Sequence, residues 1–345
     1  MNLKYRGDMG GRSRNCGLAV ALLAMVSVPV MAQICTTQAK MASDTRTALA
    51  NEALMLGSAV KAGDANAVKA ATVAEYASNF APIEHAVDTT SEKLKGDTLR
   101  VTQVYLLDAS TRKAGDTSDT EFTCPLKDTT SETDFSFSSL PPGVYGFAMV
   151  EAAGGDRSWL LSFLLLQQGS GWKMAGFYPH PRTAVGKDGL WYWTAARANV
   201  KAKMPWLAWV QYDEANELLR PASFVSSTDL DKLLAEQRAG APPALSDGIS
   251  VQTPLVVKGT GVQEFHFTSI ANEQAGDGES LHLVLHYAAE PLAGAEPNRV
   301  RDAAAAEAMI KAHPELRQGY STVIVFADMP GQNPSVLSLP MTEIR

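Results

Sequence analysis

The sequence predicts an α+β protein: N-terminal helices packed on a curved antiparallel sheet, a helical hairpin connector, and a small C-terminal α+β domain. Apolar residues recur at helical spacing over 43–63, and beyond residue 96 the pattern changes to alternation with a period of two. After residue 249, strand-like segments flank one helix-like segment. With 345 residues, 46% of them hydrophobic, the chain is long enough to bury a sizeable core.

The N-terminus has the pattern of a secretory signal. Residues 1–16 hold four basic side chains against one acid, an apolar run covers 17–28, and small residues end at Ala32. This pattern predicts cleavage after Ala32 and a periplasmic or secreted mature chain. The apolar run is too short to span a bilayer, so no integral membrane segment is expected after cleavage. An uncleaved anchor is the alternative.

The charge balance argues against nucleic acid as a partner. The chain has 30 Lys and Arg against 37 Asp and Glu, a net charge of −7, and loss of the basic signal makes the mature chain more acidic. No phosphate-binding loop, H-E-x-x-H zinc motif or nucleophile elbow occurs, so no cofactor is expected. We expect the neighbouring acids Asp213 and Glu214 to be solvated on an exposed helix.

Two cysteines remain after signal cleavage, because Cys16 leaves with the signal. An oxidising compartment allows Cys35 and Cys124 to form a disulfide. Two separate thiols are the alternative.

The first domain is expected over 33–180. Leu49, Ala53, Leu56 and Val60 predict an amphipathic helix that ends at Gly63. Both alternating faces of the strand around 159–166 are apolar, which requires cover on both sides of its sheet. The expected strands lie near 99–107, 119–126, 133–138, 143–152, 157–168 and 171–178, and the last three form an antiparallel meander because turn residues separate them.

Short helices followed by a meander that ends in GWKMAGFY at 171–178 resemble the ketosteroid-isomerase-like (nuclear-transport-factor-like) cone fold over about residues 45–180. The resemblance implies a cone-shaped sheet that holds an acidic or histidine base in some members and only binds in many. No catalytic position of that family matches residue by residue. The stretch FSFSSLPPGVYGFAMVEA at 135–152 is similar to a strand pair of secreted immunoglobulin-like β-sandwich modules, but the preceding helices favour the cone.

The rest of the chain divides into three segments. A helical hairpin connector is expected over 181–237, with Asp188 capping its first helix and Pro205 starting its second. The stretch 238–248 has linker composition, and 249–345 alternates strands with one helix near 298–312.

Three histidines lie in two neighbouring strands of that last domain. In both strands odd-numbered apolar residues face the core, so His266, His282 and His286 share the opposite face. His282 and His286 are four residues apart on a strand, or roughly 13 Å, and one zinc ion cannot bind both. No metal site is expected.

The tryptophans are concentrated in one segment, since all six lie within residues 159–209. The candidate ligand-binding residues are His180, Arg182, Lys187, Trp191 and Trp193. The cations precede a helix N-terminus, where an anion can bind, and the aromatic rings offer faces for an apolar or sugar ligand. We nevertheless expect packing to account for the cluster: Trp191, Trp193, Trp206 and Trp209 should join the first domain to the hairpin rather than form a free surface.

These patterns favour a non-enzymatic binding or envelope-associated module whose partner is an unknown small molecule or an envelope protein. Two alternatives stay open. One is a hydrolase or isomerase that uses a cavity in the first domain, and the other is a scaffold that binds a protein partner through the helical hairpin.

Overall fold

The computed structural model describes residues 34–126, 129–155, 157–276 and 278–345, and the predicted signal peptide 1–32 lies outside them. The described helices are α1 (Ser43–Ala62), α2 (Ala65–Ala70), α3 (Ala74–Ala77), α4 (Ala81–Ser91), α5 (Gly189–Lys201), α6 (Pro205–Leu219), α7 (Thr228–Ala239) and α8 (Ala295–Ala312). The described strands are β1 (Ile34–Thr37), β2 (Thr98–Asp108), β3 (Thr120–Pro125), β4 (Glu132–Phe137), β5 (Val144–Ala153), β6 (Trp159–Gln168), β7 (Gly171–Pro181), β8 (Thr183–Ala184), β9 (Lys187–Asp188), β10 (Val225–Ser227), β11 (Leu255–Lys258), β12 (Glu264–Gln274), β13 (Leu281–Ala288), β14 (Thr322–Asp328) and β15 (Ser335–Pro340). The α+β class predicted from the sequence is confirmed.

The first sheet has the strand order β1-β2-β5-β6-β7, and every neighbouring pair is antiparallel. The predicted meander β5-β6-β7 is confirmed. Helix α1 packs on one face of this sheet through residues at helical spacing, including the fully buried Leu49, and ends where Gly63 adopts φ 67°. A Cβ on Gly146 in β5 would lie 2.2 Å from Leu49 Cδ2, so this close approach of helix and sheet requires glycine.

Strand β6 is covered on both faces, as its sequence requires. Leu161, Phe163 and Leu165 join the core under the N-terminal helices, whereas Leu164 joins a second core on the other face. That second core lies between the first sheet and a small sheet of order β10-β4-β3. A disulfide between Cys35 on β1 and Cys124 on β3, with a Cα–Cα distance of 5.3 Å, joins the two sheets.

Helices α5 and α6 form the predicted hairpin. The Asp188 carboxylate accepts a hydrogen bond from the Trp191 backbone N–H at 2.8 Å and caps α5, and Pro205 occupies the first turn of α6. Helix α7 packs against α6, and the Arg197 guanidinium of α5 forms a bidentate pair with Glu236 of α7.

The C-terminal sheet has the order β11-β12-β13-β14-β15. Strands β13 and β14 are parallel and α8 connects them, while the other pairs are antiparallel. The inner face carries buried Phe265, Phe267, Leu283, Leu285 and Tyr287. The opposite face buries Val284 but is otherwise open, as its exposed and half-buried side chains show: His266, His282, His286 and Phe326.

The tryptophans of the hairpin do not face the first sheet, so that part of the packing prediction is wrong. Trp206 is buried in the core of the C-terminal sheet, and Trp209 packs against the same core. Trp193 is buried between α5, α6 and α7, while Trp191 is 45% exposed. The first turns of α6 present their aromatic side chains to a sheet that begins some 50 residues later in the chain, an arrangement that helical spacing alone does not specify.

Candidate ligand-binding cavity

A cavity with a volume of about 400 Å³ lies where the helical hairpin meets the C-terminal sheet. Its walls come from six parts of the chain: the β8–β9 hairpin, the start of α5, one face of α6, strand β12, and the segments 279–281 and 318–321. Cavities of this size accommodate small organic molecules, since ligand pockets usually measure roughly 300–1,000 Å³.

The cavity has a buried floor and an exposed rim. The floor residues are buried: Tyr192, Leu207, Val210, Glu214 and Tyr320. The rim residues are exposed: Lys187, Trp191, Glu279, Gln318 and Ser321. The floor is therefore mainly aromatic and aliphatic, with the Glu214 carboxyl group and two tyrosine hydroxyls as its polar groups, and the rim is polar except for one indole ring.

Glu214 on α6 supplies the carboxyl group of the floor and is 8% exposed. Burial raises the pKa of Glu214 to about 7, because the charged form loses its hydration. The Arg157 guanidinium opposes this rise in pKa, and the carboxylates of Asp213 and Glu217 add to it. Near neutral pH the protonated and the ionised forms of the carboxyl group are therefore both populated.

Asn272 on β12 connects this carboxyl group to the C-terminal sheet. Its side-chain amide hydrogen-bonds to Glu214 and favours the charged form. The same amide donates to the Val210 carbonyl at 2.9 Å and accepts a hydrogen bond from the Tyr320 hydroxyl. Helix α6, strand β12 and the segment before β14 are thus joined by one polar network at the cavity floor.

A β-bulge gives Asn272 its orientation. The pairing register of β12 with β13 shifts between Phe267 and Ser269, so the inward-facing residues change from odd to even numbers. Ile270 beyond the bulge is accordingly buried in the core, and Asn272 lies on the same face. Gln274, two residues further, accepts a hydrogen bond from the Val185 N–H on the cavity wall at 3.3 Å.

Arg157 and Tyr192 lie close enough to Glu214 for their charges to interact with it. The Arg157 Nε donates to the Thr183 carbonyl, and desolvation lowers the pKa of this guanidinium while Glu214 raises it. The Tyr192 hydroxyl donates to the Ala184 carbonyl at 3.0 Å, and burial raises its pKa. Tyr192 is therefore neutral at physiological pH, and Arg157 is the cation that balances Glu214.

Two of the predicted ligand-binding residues line this cavity. Lys187 and Trp191 both lie on its rim, where the Lys187 ammonium sits 5.4 Å from the centre of the Trp191 ring. Trp193, two residues further on α5, is 6% exposed and its indole N–H donates to the Glu236 carboxylate at 2.8 Å.

His180 and Arg182 lie elsewhere and have different surroundings. His180 is in β7, where its Nε2 has no hydrogen-bond partner among the described residues. Burial, reinforced by the Arg182 cation, lowers the pKa of His180 to about 4, so the ring is neutral. Arg182 forms an ion pair with Glu151 at 3.6 Å. The three predicted cations thus engage three different environments.

The sequence interpretation of Asp213 and Glu214 as solvated acids is wrong: Glu214 is buried, and Asp213 is half-buried with a pKa that burial raises to about 6. It also overlooked Asn272 and Tyr320. A usable signal was the composition of α6, which is apolar on nearly every side: Trp206, Leu207, Ala208, Val210, Tyr212, Ala215 and Leu218 are all buried. A helix that is apolar all round lies in the interior, and an acid within it is then buried as well. Tyr320 had no comparable signal, because it follows a helix in a loop.

The histidines of the C-terminal sheet do not form a cluster. His286 pairs with Asp328 at 3.1 Å and stacks on Phe326, while His266 lies opposite Ala288 and His282 opposite Glu273. Across the part of the chain that the structure describes, no group of three or more His, Cys, Asp or Glu side chains is placed to hold a metal ion.

Comparisons with protein-family models, curated proteins and solved structures found no match to this chain. The resemblance to the cone fold therefore stays a prediction. Among the described residues no helix combines the length and apolar character needed to cross a membrane.

Proposed function

We propose that this protein is an exported, non-enzymatic binding protein that takes a small amphipathic organic molecule into the cavity between the helical hairpin and the C-terminal sheet. The observation that carries this proposal is the contrast between the cavity floor and its rim. A nearly buried carboxyl group lies among Tyr192, Leu207 and Val210, and a half-exposed indole stands at the entrance. Few polar groups within an apolar enclosure are typical of small-molecule sites.

The position of the cavity supports a binding role. The hairpin, the strand β12 and the segment 318–321 are far apart in the chain, and their side chains converge on one space. Sites of this kind occur preferentially where separate structural units meet. By contrast, β6 of the first sheet buries Phe163 on one face and Leu164 on the other, and the described side chains that line the cavity beside Leu164 carry no charge.

The disulfide supports the exported location. Structural disulfides persist in oxidising compartments and are rare where thiols are kept reduced. Cys35 and Cys124 are the two cysteines that remain once residues 1–32 are removed, and they are the two that are bonded. This agrees with the basic and apolar pattern of residues 1–28.

Alanine substitutions of two tryptophans in α5 distinguish an effect on ligand binding from an effect on stability. The probe is N-phenyl-1-naphthylamine, an uncharged aromatic dye whose fluorescence rises in apolar sites. We expect Trp191→Ala to weaken dye binding at least fivefold with little change in thermal stability, because this side chain lines the cavity and is 45% exposed. Trp193→Ala should lower the free energy of unfolding by about 3–5 kcal/mol while the folded fraction binds the dye normally.

Two results would contradict the proposal. If the wild-type protein does not bind the dye, or if Trp191→Ala binds it as well as the wild type, the cavity is not the binding site. Turnover of a bound compound into a product would instead support the enzymatic alternative.

A further inference from the structure

The buried carboxyl group on the cavity floor has unused capacity for hydrogen bonds. An ionised carboxylate accepts at about four lone-pair positions. Among the described residues Asn272 is the one side chain that hydrogen-bonds to Glu214, and one N–H of that amide is already directed to the Val210 carbonyl. A ligand group with several donors therefore finds acceptor positions at the bottom of the cavity.

The charges around Glu214 favour a ligand group with a positive charge. Within α6, Asp213 and Glu217 are carboxyl groups close enough to act on Glu214. From the other packed elements, Arg157 supplies one positive charge near the floor, and Lys187 and Glu279 place one charge of each sign on the rim. Tyr192 and Tyr320 are neutral because burial raises the pKa of each. Acids thus outnumber bases around the floor, and a second cation stabilises this arrangement whereas an anion does not.

Building on the proposed function, we propose that the ligand is an organic amine whose protonated nitrogen pairs with Glu214 at the cavity floor. Its apolar part then lies against Leu207, Val210 and Leu281 and reaches the Trp191 ring at the rim. An ammonium group supplies three donors and one positive charge, which match the open acceptor positions and the excess of acids. Charge-assisted hydrogen bonds of this kind are the stronger ones, above all where water is excluded.

The proposal specifies how binding changes with pH. An aliphatic amine keeps its proton well above neutrality, since the reference pKa of a lysine ammonium is about 10.4. Burial raises the pKa of Glu214 to about 7 and that of the neighbouring Asp213 to about 6, so both carboxyl groups are largely protonated at pH 5 and ionised at pH 8. We therefore expect amine affinity to fall by tenfold or more between pH 8 and pH 5, in the direction opposite to that of a carboxylate ligand.

The test uses three probes of the same shape: 2-phenylethylamine, 2-phenylethanol and 3-phenylpropanoate. Each is titrated calorimetrically into the mature wild-type protein at pH 8 and pH 5. We expect the amine to bind at least tenfold more tightly than the alcohol at pH 8, and this advantage to disappear at pH 5. In Glu214→Gln the advantage should be lost at both pH values, whereas Glu217→Gln, whose side chain is exposed on the same helix, should keep most of it.

Each contrary result has a defined meaning. Equal binding of amine and alcohol at pH 8, or tighter binding of 3-phenylpropanoate, overturns the amine proposal while leaving the cavity as a binding site. Absence of any heat with the amine at pH 8 also overturns it. Failure of the uncharged dye to bind is a separate result, because it removes the proposed function itself. The wild-type pH series decides the question even if Glu214→Gln does not fold.

Discussion

The first sheet and the C-terminal sheet are both five-stranded, but one is covered on both faces and the other on one. In β6 of the first sheet consecutive residues from Leu160 to Leu165 are all buried. In β13 of the C-terminal sheet Leu283, Leu285 and Tyr287 are buried on the inner face, whereas the opposite face carries half-buried His282 and His286 on either side of the buried Val284. Continuous burial along a strand thus indicates two covering layers, and a polar outer face indicates one.

The two sheets also differ in how the cavities beside them are lined. Phenylalanine rings fill most of the second core of the first sheet, and a cavity of about 400 Å³ at its edge is lined by Leu164, Tyr178 and Phe224 and, among the described residues, by no charged side chain. At the C-terminal sheet, α6 covers the inner face only in part, and the cavity remains beside β12 where Asn272 and Glu214 meet. The buried carboxyl group, and not the volume, therefore distinguishes the candidate site from the cavity at the first sheet.

The largest expected effect compares one phenylalanine from each sheet. Phe163 on β6 is fully buried and stacks on Phe177 at 5.2 Å, so Phe163→Ala should lower the free energy of unfolding by about 3–5 kcal/mol. Phe326 on the open face of the C-terminal sheet is half-buried against His286, so Phe326→Ala should cost about 1 kcal/mol. Urea unfolding measures both. Equal costs would mean that the open face is covered in solution.

A smaller effect is expected from the disulfide that joins the first sheet to the small sheet. Cys35 and Cys124 are 89 residues apart, and replacing both with serine should lower the free energy of unfolding by about 2–4 kcal/mol. Dye binding by the folded variant should stay within twofold of the wild type, because the cavity lies at the other sheet. Thiol counting on protein recovered from the periplasm tests whether the disulfide forms. The intact mass of the same protein tests cleavage after Ala32. Two reactive thiols would refute the bonded state.

The smallest effect concerns the pH dependence of stability. The ordinary pKa of a glutamate is 4.5, and burial raises that of Glu214 to about 7. Between these values the folded state holds a proton that the unfolded state has lost, so this group makes the protein less stable as pH rises from about 4.5 to 7. Glu214→Gln removes that loss and should raise the free energy of unfolding at pH 8 by about 1–3 kcal/mol, with little change at pH 4.5.

A matched variant controls for the general effect of removing an acid. Glu264 on β12 is exposed, so Glu264→Gln should alter the free energy of unfolding by no more than about 0.5 kcal/mol at either pH. Melting curves at pH 4.5 and pH 8 give both comparisons. If Glu214→Gln behaves like Glu264→Gln, the carboxyl group of Glu214 is solvated and the charge argument for the amine fails with it.

The sequence by itself determined the features that depend on near neighbours in the chain. The Asp188 cap and Pro205 predicted both helices of the hairpin, and the two apolar faces of β6 required two covering layers. The cysteine count left one pair available for a bond. These signals are local, because capping, periodicity and side-chain alternation involve residues within a few positions of one another.

Tertiary structure alone decided the cavity and its chemistry. Glu214 became a buried acid because Asn272, Tyr192 and α6 itself surround it, and Asn272 faces it because a bulge after Phe267 reversed the alternation of β12. Trp206 is likewise buried in the core of the C-terminal sheet only because α6 packs against that sheet. The physical reason is that burial and pKa depend on the sum of all neighbouring atoms, and those neighbours come from segments that are tens of residues apart in the sequence.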